Sequence, residues 1–297
     1  MLFYILILIL IIIIILYIYI HIHTMVDTKI ELKMFPIEDM DYDSVIVMIA
    51  KRNSGKSFLC RDVLSYFRHI PAGVVISATE RKSPFFSEFM PNEFIFDEFE
   101  PSIVANVYER QELVIKKYGK DYKKFDSRCF ILMDDCIADK RFFKDRGVRD
   151  IFMNGRHSNL MYLLTTQDCM AIPSDLRGNI DYVFILRETR VNILKKIYDH
   201  YASCIPTFDM FRYMMTVFTE NYGVLVISNK AQSNRLEDQV FYYKAKEHPG
   251  LQICEGKAWK FHKKYYNANY LNERNDYIEP FYDKKQNKVV KIVKMDQ

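Results

Sequence analysis

The run Ala50-Lys51-Arg52-Asn53-Ser54-Gly55-Lys56-Ser57 has the residue types and spacing needed to hold phosphate. Small residues let successive backbone N–H groups wrap phosphate oxygens, a lysine reaches the β- and γ-phosphates, and a hydroxyl binds magnesium. Lys56 and Ser57 supply the last two groups, so ATP and Mg2+ are the expected ligands. The full pattern opens with glycine; Ala50 stands in that place and lacks glycine's freedom to adopt positive φ. Further along, the apolar run Cys129-Phe130-Ile131-Leu132-Met133 ends in Asp134-Asp135. Consecutive residues leaving a strand point in different directions, so the two acids can serve two roles. Asp134 suits holding magnesium through its water shell, and Asp135 suits polarising an attacking water. The plain alternative is a pair of solvated acids at a strand end.

Gln167 follows the apolar run 160–165. At the tip of a strand beside the acidic one, it suits a sensor that hydrogen-bonds both the water and the γ-phosphate. Just before that run, Asn154-Gly155-Arg156-His157 ends a helix and turns. Spacing alone leaves Arg156 two readings: a helix-terminal cation favoured by the macrodipole, or an arginine finger reaching a neighbouring subunit's nucleotide. His157 is expected to pack or cap. The six cysteines form no CxxC pair and the seven histidines show no ligand spacing. This argues against a disulfide framework and against a zinc site.

For these groups to meet, separate strands must end at one place. From Ser44 onward, short β-branched or aromatic runs alternate with longer amphipathic stretches, the pattern of an α/β domain. Strands are expected over 45–49, 74–77, 93–96, 130–133, 160–165, 182–186 and 224–228. Helices are expected over 56–69, 102–118, 142–154, 189–199 and 208–218, with Pro101 and Pro173 at helix starts. Several of the strands are continuous apolar runs, as in a parallel sheet covered on both faces.

The two ends differ from this middle. Residues 1–20 are an unbroken apolar run, long enough to span a bilayer as a helix. It lacks the basic start and small-residue cleavage site of a secretory signal. It reads either as a membrane anchor or as a translated A/T-rich extension ahead of a start at Met25. Residues 251–297 carry ten lysines and arginines against six acids, a difference of +4 that equals the whole formal charge of the chain. Eight aromatics, Trp259 and Tyr265 among them, are interleaved with these charges. Such a tail can follow a phosphate backbone and stack on bases, or pack its aromatics on the main domain. The organisation expected is therefore a hydrophobic segment 1–24, an ATPase domain 25–250 and a basic, aromatic tail 251–297.

Taken together, the loop 50–57 with Phe58-Leu59, the strand 130–136 with its paired aspartates and the run 154–160 resemble one known family. It is the virion DNA-packaging ATPases of large nucleocytoplasmic DNA viruses, the poxvirus-type branch of the FtsK–HerA pumping ATPases. Ile172-Pro173-Ser174-Asp175-Leu176-Arg177, Asn179-Ile180-Asp181-Tyr182-Val183-Phe184 and Asn234-Arg235-Leu236-Glu237-Asp238-Gln239-Val240-Phe241 are similar to the same family. The resemblance implies an α/β, RecA-like P-loop NTPase with a mainly parallel central sheet flanked by helices. It implies an extra strand between the P-loop strand and the acidic strand. It further implies a homo-oligomeric ring, expected as a hexamer, that drives double-stranded DNA into a capsid. Capsid or portal proteins would be its partners, and the virion and host cytoplasm its locations. By the same resemblance Lys56 and Ser57 hold nucleotide and magnesium, Asp134 holds magnesium, Asp135 acts on the water, Arg156 is the trans finger and Gln167 the sensor. In the wider class the second acid is usually glutamate; Asp135 is one methylene shorter. Two other readings are a small-molecule or nucleoside kinase, with Arg187 and Arg190 the nearest lid arginines, and an ATPase anchored to a membrane by residues 1–20.

Overall fold

The computed structural model describes residues 10–15, 30–121, 123, 125–137 and 142–267, with the backbone of 281–283 and 288–290. Of the hydrophobic segment 1–24, residues 10–15 form exposed helix; the rest, and with it the expected anchor, lies outside the described residues. Among the described residues no helix is long and apolar enough to cross a membrane.

One sheet contains β1 (Lys33–Met34), β2 (Val45–Ile49), β3 (Ala72–Ser77), β4 (Ile95–Phe96), β5 (Cys129–Asp134), β6 (Leu160–Thr166), β7 (Tyr182–Ile185), β8 (Gly223–Ser228) and β9 (Val240–Lys244). Their spatial order is β1-β9-β8-β7-β2-β6-β5-β3-β4. β8 runs antiparallel to both neighbours, and every other adjacent pair is parallel. The sheet is the mainly parallel one expected. β6 pairs with β2 on one side and β5 on the other, so a strand does separate the phosphate loop's strand from the acidic one.

Beyond residues 10–15, the helices among the described residues are α1 (Lys56–Tyr66), α2 (Pro101–Tyr118), α3 (Arg146–Asn154), α4 (Ser174–Arg177), α5 (Val191–Tyr201), α6 (Phe208–Phe218), α7 (Leu236–Gln239) and α8 (Gly256–Tyr265). They cover both faces. Val45, Val47 and Ile49 of β2 share a core with α2, α3, α5 and α6, while Ile46 and Met48 share the opposite core with α1. This two-sided burial is why β2, β5 and β6 are apolar at successive positions rather than alternating.

Several elements differ from their sequence pattern. The stretch 142–154 is divided: a 3-10 turn spans Phe142–Lys144, and α3 begins after Asp145, whose carboxylate accepts from the N–H of Val148 at 2.9 Å. An N-capping aspartate starts a new helix at that point. α1 ends at Tyr66 rather than 69, and the strand expected over 93–96 is two residues long behind a 3-10 turn. β1, β9 and α8 are elements that the sequence pattern did not single out.

The change of composition after Gly250 is not a break in packing. Leu251 and Ile253 are buried in the core shared with α1, and the N–H of Ile253 donates to the carbonyl of Phe89 at 3.0 Å. Trp259 Nε1 donates back to Ile253, and His262 Nδ1 lies 2.7 Å from Glu93 Oε2. α8 thus turns Trp259 and His262 inward and leaves Lys257, Lys260, Lys263 and Lys264 exposed.

Gly73 of β3 lies directly opposite Phe130 of β5, and a Cβ at Gly73 would sit 2.0 Å from that ring, which is buried. Gly73→Ala is therefore expected to cost about 1–3 kcal/mol of stability through overpacking. A fall in the urea midpoint at unchanged slope is the measurement that checks it.

Candidate active site

The phosphate loop leaves β2 as a continuation of the sheet. The N–H of Ala50 donates to the carbonyl of Thr166 at 2.9 Å, so Ala50 still sits on the ladder. The positive-φ positions of the loop are Asn53 (59°) and Gly55 (89°), not Ala50. The missing first glycine therefore carries no conformational penalty here. Ser54 Oγ donates to the carbonyl of Lys51 at 2.7 Å and closes the turn. Gly55 caps α1, and Lys56 and Ser57 open it. The first-turn N–H groups of a helix have no intrahelical partner, and with the helix dipole they make a ready anion site.

Across the sheet, Ser77, Asp134 and Thr165 form one register row over β3, β5 and β6. Asp134 is buried, and this row supplies its partners: Thr165 Oγ1 donates to Oδ1 at 2.8 Å and Ser77 Oγ donates to Oδ2 at 3.2 Å. Lys56 Nζ reaches the same Oδ1 at 3.2 Å. A carboxylate this deep is tolerated because it is both paired and hydrogen-bonded. Asp135 then turns away from the strand with φ 56°, its N–H donating to Thr165 Oγ1 at 3.0 Å. Its Oδ2 accepts from Gln167 Nε2 and lies 3.9 Å from Lys56 Nζ. One threonine hydroxyl thus fixes both acids, donating to the side chain of one and accepting from the backbone of the other.

Lys56, Asp134, Asp135 and Gln167 are therefore brought together, with Ser57 one residue along α1. Arg156 is not among them. It stands in the turn Gly155–Ser158 ahead of β6, and its Nη2 pairs with Asp181 Oδ1 at 3.3 Å. Asp181 Oδ2 accepts from the N–H of Val45, the first residue of β2. Arg156 so lies at the opposite end of the central strands, roughly 17 Å from the loop by the rise of a five-residue strand. Its side chain is half exposed there. Lys51 is half-buried, and Arg52 and Asn53 are exposed at the loop's tip.

Sequence reading did not single out Ser77, Thr165 or Tyr222, whose ring packs against Gly55. The only trace of the first two is a polar residue closing an apolar strand. Cys136, beside the acids, takes no part: burial, then Asp134 and Asp135, push its thiol up to about 12. Its Sγ donates to the carbonyl of Ile76 at 3.1 Å.

No family model matches the chain. It is 39% identical over 251 residues to the uncharacterised protein L437 of Acanthamoeba polyphaga mimivirus, covering 83% of this chain and 88% of that one. It is 38% identical over 231 residues to the uncharacterised protein 075L of Invertebrate iridescent virus 6, covering 76% and 88%. The chain belongs to this family of large-DNA-virus proteins. The fold of this chain is also that of the genome-packaging NTPase B204 from Sulfolobus turreted icosahedral virus 2, solved in complex with AMPPCP. The TM-score is 0.50 over 70% of this chain and all of B204, at 14% identity. A second structure, the DNA-packaging ATPase B204 from Sulfolobus turreted icosahedral virus, matches with the same score. The chain thus shares the fold of these two NTPases.

Thr165→Val keeps the volume but removes one of the two partners of Asp134 Oδ1, leaving Lys56 alone there, and takes the acceptor from the N–H of Asp135. It is expected to cost about 1–3 kcal/mol in urea denaturation. Wild-type stability would show that the hydroxyl does not hold the two acids.

Proposed function

We propose that this protein is an ATP-hydrolysing motor that moves double-stranded DNA, and that its task is to load viral genomic DNA into the capsid. The observation that carries the hydrolytic part is the placement of Asp135 and Gln167, hydrogen-bonded to each other, beside Lys56 at the mouth of the phosphate loop. The loop N–H groups and Lys56 bind the β- and γ-phosphates, while Asp135 polarises the attacking water and Gln167 positions it against the γ-phosphate. Ser57 at the start of α1 would offer magnesium a hard hydroxyl oxygen, and Asp134 at the end of β5 would hold the ion through its water shell. Bound there, Mg2+ supplies neutralisation of charge developing on the phosphates.

The DNA part rests on the fold shared with B204 and on α8, whose exposed lysine face can follow a phosphate backbone. Arg156, remote from its own chain's loop, would act as a finger on the neighbouring subunit's nucleotide in a ring, expected to be hexameric. Capsid or portal proteins would be its partners, in the virion and in the host cytoplasm. A kinase reading fits less well. Arg190, one of the two lid arginines it needs, is tied to Glu188 through Nε at 3.1 Å and Nη2 at 2.7 Å.

The ATPase rate measured with and without long duplex DNA over a salt series tests the whole reading. Stimulation that falls steeply with salt is expected, and no stimulation at any salt would refute DNA as the substrate. Asp135→Asn is expected to keep ATP binding while turnover falls by about 10²–10⁴-fold; normal turnover would remove it as the base. Arg156→Ala is expected to lose about 10³-fold. Mixing with Lys56→Ala subunits should restore part of that loss, and no recovery would argue against a finger in trans.

A further inference from the structure

We propose that Tyr222 is the platform on which the base of the bound nucleotide stacks, an assignment that rests on the nucleotide reading above. The topology brings it to the site. Ile49, Ile185 and Leu225 form one row across β2, β7 and β8. Because β8 runs antiparallel, the residues before Leu225 continue past that row toward the edge where β2 gives way to the phosphate loop. Tyr222 stands there, and its ring packs on Gly55: Cδ1 is 3.1 Å from the position a Cβ on Gly55 would occupy.

The backbone is bent to hold it there. The 3-10 turn Glu220–Tyr222 places Asn221 at φ 49°, ψ 46° and Tyr222 at φ 63°, two successive non-glycine residues in the left-handed region. L-residues adopt that region rarely, and almost always singly. The next residue, Gly223, admits no side chain, since a Cβ would lie 2.1 Å from the carbonyl oxygen of Phe218. Backbone strain that the surroundings hold in place clusters at ligand sites. What the turn presents is an aromatic ring with one edge against the phosphate loop and 69% of the residue exposed. So exposed a tyrosine gains little from the core. A flat π-face beside a phosphate cradle is instead suited to a base, and stacking tolerates any base because each has such a face.

Calorimetric titration of wild type, Tyr222→Phe, Tyr222→Leu and Tyr222→Ala with Mg–ATP and with Mg–tripolyphosphate separates base from phosphate binding. The leucine and alanine variants should bind ATP roughly ten-fold more weakly while binding tripolyphosphate like wild type; the phenylalanine variant should match wild type for both. Unchanged ATP affinity in the leucine and alanine variants overturns the proposal. Equal losses for ATP and tripolyphosphate also overturn it, because Tyr222 would then only shape the loop. Wild-type protein that binds neither ligand refutes the nucleotide site itself.

Discussion

The site depends on the parallel register of β2, β6 and β5. Ile49 pairs with Thr166 and Asp134 with Thr165, so all three strands end within about one residue of each other. From that common edge the phosphate loop, Gln167 and Asp135 emerge together. A slip by one residue would turn every side chain of a strand to the opposite face. Such a slip in β5 would point Asp134 away from Lys56. Burial of these strands on both faces makes the slip costly, because each position is packed against one of two cores.

Around this edge polar groups are buried only where they are satisfied. Asp134 is held by a hydroxyl from each flanking strand and by the ammonium of Lys56. An uncompensated carboxylate at that depth would be strongly destabilising. The same edge collects unusual backbone. Of the non-glycine residues with positive φ among the described residues, Asn53 lies in the phosphate loop, Asp135 beside Lys56 and Tyr222 against Gly55. Strain of this kind persists where surrounding structure over-determines it, and it concentrates where ligands are handled. Arg156, paired with Asp181, stands at the opposite end of the strands.

The basic tail illustrates a different balance. Its composition departs from that of the domain, yet Leu251, Ile253, Trp259 and His262 tie its first part to the region 89–94. Apolar anchoring on one side of α8 leaves the lysines together on the other, which is how a helix can belong to a core and still offer a charged face.

Much of this was legible in the amino-acid sequence. The α/β class, the main strands, the phosphate loop and the paired acids are written locally, as apolar runs that end in particular polar residues. Local signals of that kind survive because each strand must be buried wherever it lies in the sheet. The order of the strands is not local, and only the tertiary structure decided it. That order makes Ser77 and Thr165 partners of Asp134, because hydrogen bonds across a parallel sheet join residues far apart in the chain. Arg156 stands at the opposite end of the strands because it precedes β6, which runs parallel to β2. The placement of Tyr222 was equally beyond the sequence, since it follows from β8 running antiparallel to the strands beside it. Sequence determined which groups could do the chemistry, and register and strand direction determined which of them meet.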